Sequence, residues 1–586
     1  MADAHTTSLH PWPKTTVTWA GIAAIALSVL LVSASRSMSP VMDELVSPAV
    51  GLDILRGGPG FCDVHPSFAR LLLALPIATA AGPTPPGSQA CDSVQCLYTF
   101  AHDFFCRGSR ERLESLIRRA RIVSHICAIA GMLTGCLLAT RFGGPSAGVI
   151  CALLFCTTPE WIAHGSLATL DMPSTAFVFL AVAMLAIFRS QGHIGWMVGS
   201  GIAAGAALAS KFSVIPVVIG MVTVLLIDFS LVYRATIRDG RWSGSRILFP
   251  PLTFIGAMTS ATTLLAHGGN PSRLWATLVA AFSRSEAGHP AFFWGMVSDH
   301  GWVAYYPTAF LLKTPVGTLG LMALATSAFM SGCSAQRAAT WWYHWSTPLI
   351  VSAVAECVWA LTTRIDIGLR LILPVYPLVV VPLAVASAAT LTRPVAVMLV
   401  SACLGLNAIE MASVHPHALS FFNLAAGGPS RGADYLSDSN LDWGQDLGNL
   451  ADLLEKRGRP DVALAYFGPV PPGLYGIAHE PLIAMFGHHT VRPPPTSGAP
   501  GLLAVSRTIQ TGQYVPGFEW LRTRTPIATA GFGIPLYDIA DDAEAHLRLA
   551  DMLRARGDPT AAAAHRSVAA LIFAREQSSG TAPPKP

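Results

Sequence analysis

The chain has 586 residues, 52% of them hydrophobic and 12% charged, with a net charge of +4 and a mean hydropathy of +0.49. A soluble globular chain carries about 25% charged residues, and no enlargement of a core absorbs such a deficit, so the excess apolar surface must face lipid. The small net charge gives a nucleic-acid partner no electrostatic footing.

Taken in chain order, apolar runs long enough for a span of about 20 residues fall at 16–35, 120–140, 144–160, 172–188, 194–210, 213–233, 247–266, 305–329, 345–362, 371–389 and 394–412. They predict a polytopic α-helical membrane protein with about eleven transmembrane helices. Lys211 alone separates the fifth run from the sixth. Ser33-Ala34-Ser35 faintly imitates a signal-peptidase site, but a retained first helix is expected, because the polar cluster behind it needs an anchor.

Basic residues in short loops set the orientation. Arg234, Arg238, Arg241 and Arg246 crowd one loop, and Arg141, Arg189, Arg337 and Arg393 lie in others of the same parity. With these and Lys14 in the cytoplasm, the loop 36–119, the turns at Asp171 and Lys211, the loop 267–304 and everything after 412 lie outside. Against this stand Arg107, Arg110, Arg112, Arg118, Arg119 and Arg121, which would be external. The expected location is the bacterial cytoplasmic (inner) membrane, with the C-terminal domain extracytoplasmic.

The loop 36–119 holds apolar stretches at 68–75 and 97–105 that read as short interfacial helices. It also holds Cys62, Cys91, Cys96 and Cys106, which allow three pairings. One or two disulfides are expected outside the cytoplasm. Zinc is the alternative, at a spacing unlike the common structural motifs. Residues 1–412, with this loop, form the membrane module, and 413–540 read as a small soluble α/β domain. Its apolar runs at 462–467, 502–506, 527–531 and 536–539 suit strands beside a helix at 446–457. Residues 541–576 resemble one tetratricopeptide-type hairpin, broken at Gly557-Asp558-Pro559, that must dock on the domain or on a protein partner. Residues 577–586 read as a disordered tail.

Charged groups at a membrane boundary usually have a task. Asp43-Glu44 follows the first span, with His65-Pro66 and Arg70 in the same loop, and Asp171 opens another helix on the same side. Acidic residues at helix starts are often only caps, yet two carboxylates on one membrane face can deprotonate a hydroxyl, one as base and one orienting it. Lys211, Lys313 and Arg370 sit in apolar surroundings. Snorkelling suits Lys313 and Arg370 near helix ends, whereas isolated cations facing a cavity suit a phosphate. Acids for an acceptor and cations for a phosphate fit a glycosyltransferase with a lipid-linked donor. Asp438, Asp442 and Asp446 recur every four residues and would share a helix face; a helix start with Asn440 or Asp442 as N-cap and Trp443 packed beneath is the plainer reading. His488-His489 reads as a surface loop, and no metal-ligand cluster is evident.

These residues also carry a family resemblance. Met42-Asp43-Glu44 followed by His65-Pro66-Ser67-Phe68-Ala69-Arg70 resembles the first loop of the protein O-mannosyltransferase-like glycosyltransferases. These are GT-C enzymes of glycosyltransferase family 39, which include the lipid A aminoarabinose transferases. The family pattern has a second proline where this chain has Ser67, and a lysine where it has Arg70. The resemblance continues through Ala163-His164-Gly165, Asp171-Met172-Pro173, Ala209-Ser210-Lys211-Phe212, Tyr305-Tyr306-Pro307, Leu312-Lys313-Thr314-Pro315, 370–377, His415-Pro416-His417, Phe421-Phe422-Asn423 and the 438–446 motif.

It implies a GT-C fold and an inverting transfer of a sugar from polyprenyl phosphate to a hydroxyl of a protein, lipid or glycan acceptor. Asp43 would be the catalytic carboxylate, Glu44 a secondary one and Asp171 the second acid. Arg70, Lys211, Lys313 and Arg370 would hold the donor phosphate, and His65 and Pro66 would shape the loop. No cofactor is implied beyond the lipid-linked donor itself. A transporter or flippase of lipid-linked glycans is the alternative; such folds often show two similar halves, and no internal duplication is evident in this chain.

Overall fold

The computed structural model describes residues 14–58, 64–82, 94–238, 245–266, 270–330, 336–483 and 498–579. Cys62, Cys91, the His488-His489 pair and the tail after Ser579 lie outside them.

The chain opens with α1 (Lys14–Ser37), then α2 (Met42–Leu55), α3 (Phe68–Ala74) and α4 (Val94–Cys106). Next come α5 (Arg110–Cys156), α6 (Pro159–Gly165), α7 (Asp171–Gln191), α8 (Ile194–Leu208), α9 (Ile215–Arg238), α10 (Ser245–Ala266) and α11 (Pro271–Ala287). A small hairpin of β1 (Ala291–Phe293) and β2 (Met296–Ser298) leads into α12 (Tyr305–Lys313), α13 (Val316–Met330), α14 (Gln336–Ala360), α15 (Val375–Thr390) and α16 (Pro394–Val414).

Every apolar run read as a span is helical over most of its length, but the runs are not eleven separate spans. The runs at 120–140 and 144–160 lie in the single 47-residue α5, broken where Gly144 takes a left-handed φ of 80° ahead of Pro145. That conformation is open to glycine at little steric cost. The run at 305–329 is two helices, α12 and α13, bent by 108° at Thr314-Pro315. Among the described residues, five helices are long and apolar enough to cross a membrane, or six with the bent pair; α8 and α15 are shorter. The chain is a multi-pass helical membrane protein.

After α16 come α17 (Gly432–Tyr435), α18 (Leu447–Glu455), β3 (Val462–Ala465), β4 (His479–Pro481), β5 (Leu502–Val505), α19 (Arg507–Gln510), β6 (Ala528–Ala530), β7 (Ile534–Asp538), α20 (Ala543–Ala555) and α21 (Pro559–Ser579). Five of these strands form a sheet in the order β4-β3-β5-β7-β6. β3 pairs parallel to β4 and β5, while β7 runs antiparallel to β5 and β6. The central β3 reads Val-Ala-Leu-Ala and is buried on both faces, as suits a parallel strand covered on each side. β4 ends in Pro481 and occupies the edge, where a missing N–H costs no ladder bond.

The first loop and this sheet share one core. Leu45, Val50 and Phe104 belong to the same buried cluster as Leu450, Val462 and Leu536. The helical hairpin α20–α21 docks on the domain: His565 Nε2 lies 2.7 Å from Glu480 of β4, and Arg556 donates to the Pro481 carbonyl at 3.2 Å. The contact covers a sheet edge that would otherwise be open to pairing. Cys96 is disulfide-bonded. Cys106 is a free thiol, so a second disulfide among the four loop cysteines does not form.

Candidate active site

The polar cluster after α1 is not an extension of that helix but the start of α2. Val41 is its N-cap residue, and Glu44 reaches back to accept from the Val41 N–H at 3.0 Å. Glu44 is fully buried and also accepts from Arg121 Nε at 2.7 Å, Arg121 Nη2 at 2.6 Å and the Ala168 N–H at 2.6 Å. Arg121 in turn donates to the carbonyls of Ser35, Met38 and Ser39. A bidentate buried pair of this kind is a strong geometric clamp. It ties the end of α1, the start of α2 and α5 into one corner. Glu44 is committed to that clamp, which does not fit the expected part in catalysis.

Asp43, one residue earlier on the helix, points elsewhere. It is 32% exposed, and its Oδ2 lies 2.5 Å from Arg370 Nη1. Arg370 comes from a short turn, Leu369–Ile372, after α14. Gly368 before it has a φ of 141°, and a Cβ there would meet Ser439 Oγ at 2.3 Å, so only glycine admits this approach. The Leu369 N–H donates to Asn440 Oδ1 at 3.2 Å, and Asn440 Nδ2 donates to Tyr305 Oη at 2.8 Å. The guanidinium lies 4.2 Å over the Trp443 ring. The 438–446 segment thus braces Arg370 from beneath.

Arg370 Nη1 is also 4.0 Å from Asp171 Oδ2, and the other Asp171 oxygen accepts from Lys211. Asp171 opens α7 but makes no capping bond; its carboxylate is turned to the cations. Lys211 has extended backbone between α8 and the turn Phe212–Val214, which carries its side chain off the helix ladder. The result is a row of alternating charges, Asp43, Arg370, Asp171, Lys211, drawn from four separate stretches of chain. Only its Asp43 end is substantially open to solvent.

The His65–Arg70 stretch packs beside this row. The Phe68 N–H donates to the Ala209 carbonyl at 3.0 Å, and the Phe68 and Phe177 rings are 5.7 Å apart. Arg70 is buried on α3, Pro66 is buried and His65 is half-buried. The Arg70 carbonyl abuts Gly51 of α2, where a Cβ would lie 2.0 Å away.

Lys313 is placed differently from Lys211. It is fully buried, 2.8 Å from Glu160 Oε1, and it donates to the carbonyls of Leu419 at 3.0 Å and Asn440 at 2.6 Å. An ammonium has three donors; two go to these carbonyls, and the charge is paired with Glu160. This does not fit donor binding; Lys313 is a structural pin. Lys313→Met is expected to lower the thermal unfolding midpoint while leaving the donor KM of the surviving folded protein within about twofold, because breaking a buried pair destabilises by about 3–5 kcal/mol. A large rise in KM with an unchanged midpoint would return Lys313 to the donor site.

Asp438, Asp442 and Asp446 do not share a helix face. Asp438 sits in a short turn with a φ of 56°, and α18 begins only at Leu447. Neither Asn440 nor Asp442 caps it. Asp438 accepts from Tyr514, Asp442 from the Gly444 N–H at 3.2 Å, and Asp446 from the Gly533 N–H at 2.8 Å. Burial, and after it the Asp446 carboxylate, push the Asp442 carboxyl up to about 8. An unfolded aspartate titrates near about 3.9, so the folded state holds the extra proton between these values, and stability falls as pH rises from about 4 towards about 8. Asp442→Asn is expected to flatten that fall, read as unfolding midpoints at pH 5 and pH 8. An equal fall in both proteins would contradict it.

Three participants escaped sequence reasoning. Arg121 looked like one more external arginine, and Trp443 like packing. Glu160, the partner of Lys313, ended an apolar run. The arginine-rich stretch is partly neutralised internally: Arg110 and Arg118 both bond Glu114, and Arg107 bonds Asp103. Among the described residues, no group of three or more His, Cys, Asp or Glu side chains is placed to hold a metal ion.

Residues 101–238 match the family model described as dolichyl-phosphate-mannose-protein mannosyltransferase, the same family type that the sequence motifs resemble. No curated protein matches the chain by sequence. Among solved structures, the chain is 14% identical to ArnT from Cupriavidus metallidurans bound to undecaprenyl phosphate, covering 89% of this chain and 97% of that one, at a TM-score of 0.44. The apo state of the same protein gives 14% identity at equal coverage and a TM-score of 0.45. The S. cerevisiae protein O-mannosyltransferase Pmt1-Pmt2 complex bound to the sugar donor is 17% identical over 45% of this chain and 35% of that one, at a TM-score of 0.34.

Proposed function

We propose that this chain is a GT-C glycosyltransferase that moves a sugar from polyprenyl phosphate to a hydroxyl acceptor on the extracytoplasmic face of the membrane. The observation that carries this reading is the charge row that starts at the exposed Asp43 and runs inward through Arg370 and Asp171 to Lys211. The family description over residues 101–238, which names a polyprenyl-type phosphate sugar, supports the donor class.

In this reading Asp43 accepts the proton of the acceptor hydroxyl. The freed oxygen attacks the anomeric carbon from the side opposite the phosphate, and the bond from that carbon to the phosphate oxygen breaks with its electron pair on the oxygen. Polyprenyl phosphate leaves and the sugar is inverted. Arg370 and Lys211 are fixed before the reaction, so they stabilise charge growing on the phosphate without reorganising. Arg370, held flat on Trp443, is suited to a planar two-point contact that a lysine would not make. A strain lacking the chain is expected to lose one sugar substituent from its glycoproteins, lipids or glycans, as read by mass spectrometry. Wild type restores it and Asp43→Asn does not. An unchanged glycan profile would count against the reading.

A further inference from the structure

Two buried imidazoles and a carboxylate form a line that joins the helical hairpin to the edge of the sheet. His565 of α21 donates from Nε2 to Glu480 of β4 at 2.7 Å, and its Nδ1 lies 2.7 Å from Nδ1 of His546 on α20. Neither ring has exposed surface. His546 shares the inward face of α20 with Leu549, Ala550 and Leu553, which belong to the main apolar core of the molecule. α21 is held more thinly. Its buried apolar residues are Ala561, Ala562, Ala569 and Ile572, and each alanine has a single methyl to bury. The polar line therefore matters most to α21.

Two ring nitrogens at hydrogen-bond distance share one proton, because one must donate and the other accept. Glu480 keeps a further proton on His565 Nε2. The docked pair thus holds a single positive charge at most, which Glu480 balances, whereas two free imidazoles in acid carry two. Among the described residues, the other charged groups nearby are engaged elsewhere. His479 of β4 turns Nδ1 to the Ile477 carbonyl at 3.1 Å, and Arg556 donates to the Pro481 carbonyl. Asp542 and Asp558 cap α20 and α21 through the N–H groups of Ala545 and Ala561, and Arg566 bonds Asp551 at the surface. Burial, and after it the His565 ring, bring the His546 imidazole down to about 4, against the opposite pull of the Ile539 carbonyl and Glu480.

We propose that the Glu480-His565-His546 line is a proton-operated clasp: a second positive charge on the histidine pair parts α21 from β4 and opens that edge of the sheet. The docked state binds fewer protons than the open one, so acid favours opening. An unperturbed histidine titrates near about 6.5, and His546 in the docked state near about 4. Docking is therefore fully stable above about pH 6.5 and weakens as pH falls from there towards about 4. The action of the clasp does not depend on which reaction the charge row performs.

Amide hydrogen exchange of the full chain in lipid nanodiscs, corrected for intrinsic exchange rates, tests the clasp. In wild type the opening constant of α21 is expected to rise about tenfold per pH unit as pH falls from about 6.5 to about 5, while β3 and β5 keep their protection. In His546→Gln the amide can still donate to His565 but takes up no proton, so α21 should stay equally protected over that range. His565→Gln, which also leaves one imidazole, should behave likewise. Wild-type α21 as protected at pH 5 as at pH 7 would overturn the inference, and so would an equal loss in wild type and both variants. Loss of α21 protection at pH 7 in both variants would identify the pair as a structural contact and overturn it too.

Discussion

Replacing Asp43 by asparagine is expected to lower kcat for sugar transfer by about 10²–10⁴-fold, the usual contribution of a positioned general base, with the protein folded and the donor KM little changed. The two members of the acidic pair are adjacent in sequence and opposite in circumstance. Glu44 has no exposed surface and is bonded to Arg121, Val41 and Ala168. Asp43 is 32% exposed and, among the described residues, pairs with the outermost cation of the row. Of the two, Asp43 is the one with surface open to an incoming hydroxyl. Asparagine keeps the size of the side chain and an oxygen for Arg370, so the geometry survives while the base is removed. Single-turnover release of polyprenyl phosphate reads the effect directly. A rate within about twofold of wild type would mean that the proton goes elsewhere.

Arg121→Met is expected to be among the most destabilising single changes in the chain, about 3–5 kcal/mol, because it strands the Glu44 carboxylate in a buried corner. The loss should exceed that of Glu44→Gln/Arg121→Met together, in which no charge is left unpaired. Thermal unfolding of the three proteins gives the comparison. A single mutant as stable as the double would show that the clamp carries no coupling energy. Because the clamp fixes the start of α2, the destabilised protein should also lose activity, through misplacement of Asp43 rather than loss of chemistry.

The helices and the charged candidates were legible in the sequence because both are local signals. Hydropathy located the long apolar helices but not α2, whose apolar residues follow the Asp43-Glu44 pair. What it could not give was their division: Gly144-Pro145 joins two runs in one broken helix, and Thr314-Pro315 splits one run into two. β4, three residues ending in proline, has too little pattern to be read as a strand. Four of the candidate residues, Asp43, Asp171, Lys211 and Arg370, fall into one row. Lys211 and Lys313 look alike in sequence, each a lone cation among apolar neighbours. Their difference lies in tertiary partners, Asp171 for one and Glu160 with two carbonyls for the other. Asp438, Asp442 and Asp446 misled through their spacing: a four-residue period implies a shared face only on a helix, and the backbone there is a turn.

If the charge row beginning at Asp43 transfers a sugar off polyprenyl phosphate, as proposed, the purified protein must release that lipid. The most direct measurement incubates the purified full-length protein with a panel of polyprenyl-phosphate sugars and native acceptor extract, and follows the lipid product by mass spectrometry for wild type and Asp43→Asn. One donor is expected to be converted to polyprenyl phosphate, with the sugar inverted on the acceptor, and Asp43→Asn to abolish the conversion. Lipid-linked sugar carried across a vesicle membrane intact, with no polyprenyl phosphate formed, would contradict it and identify a transporter.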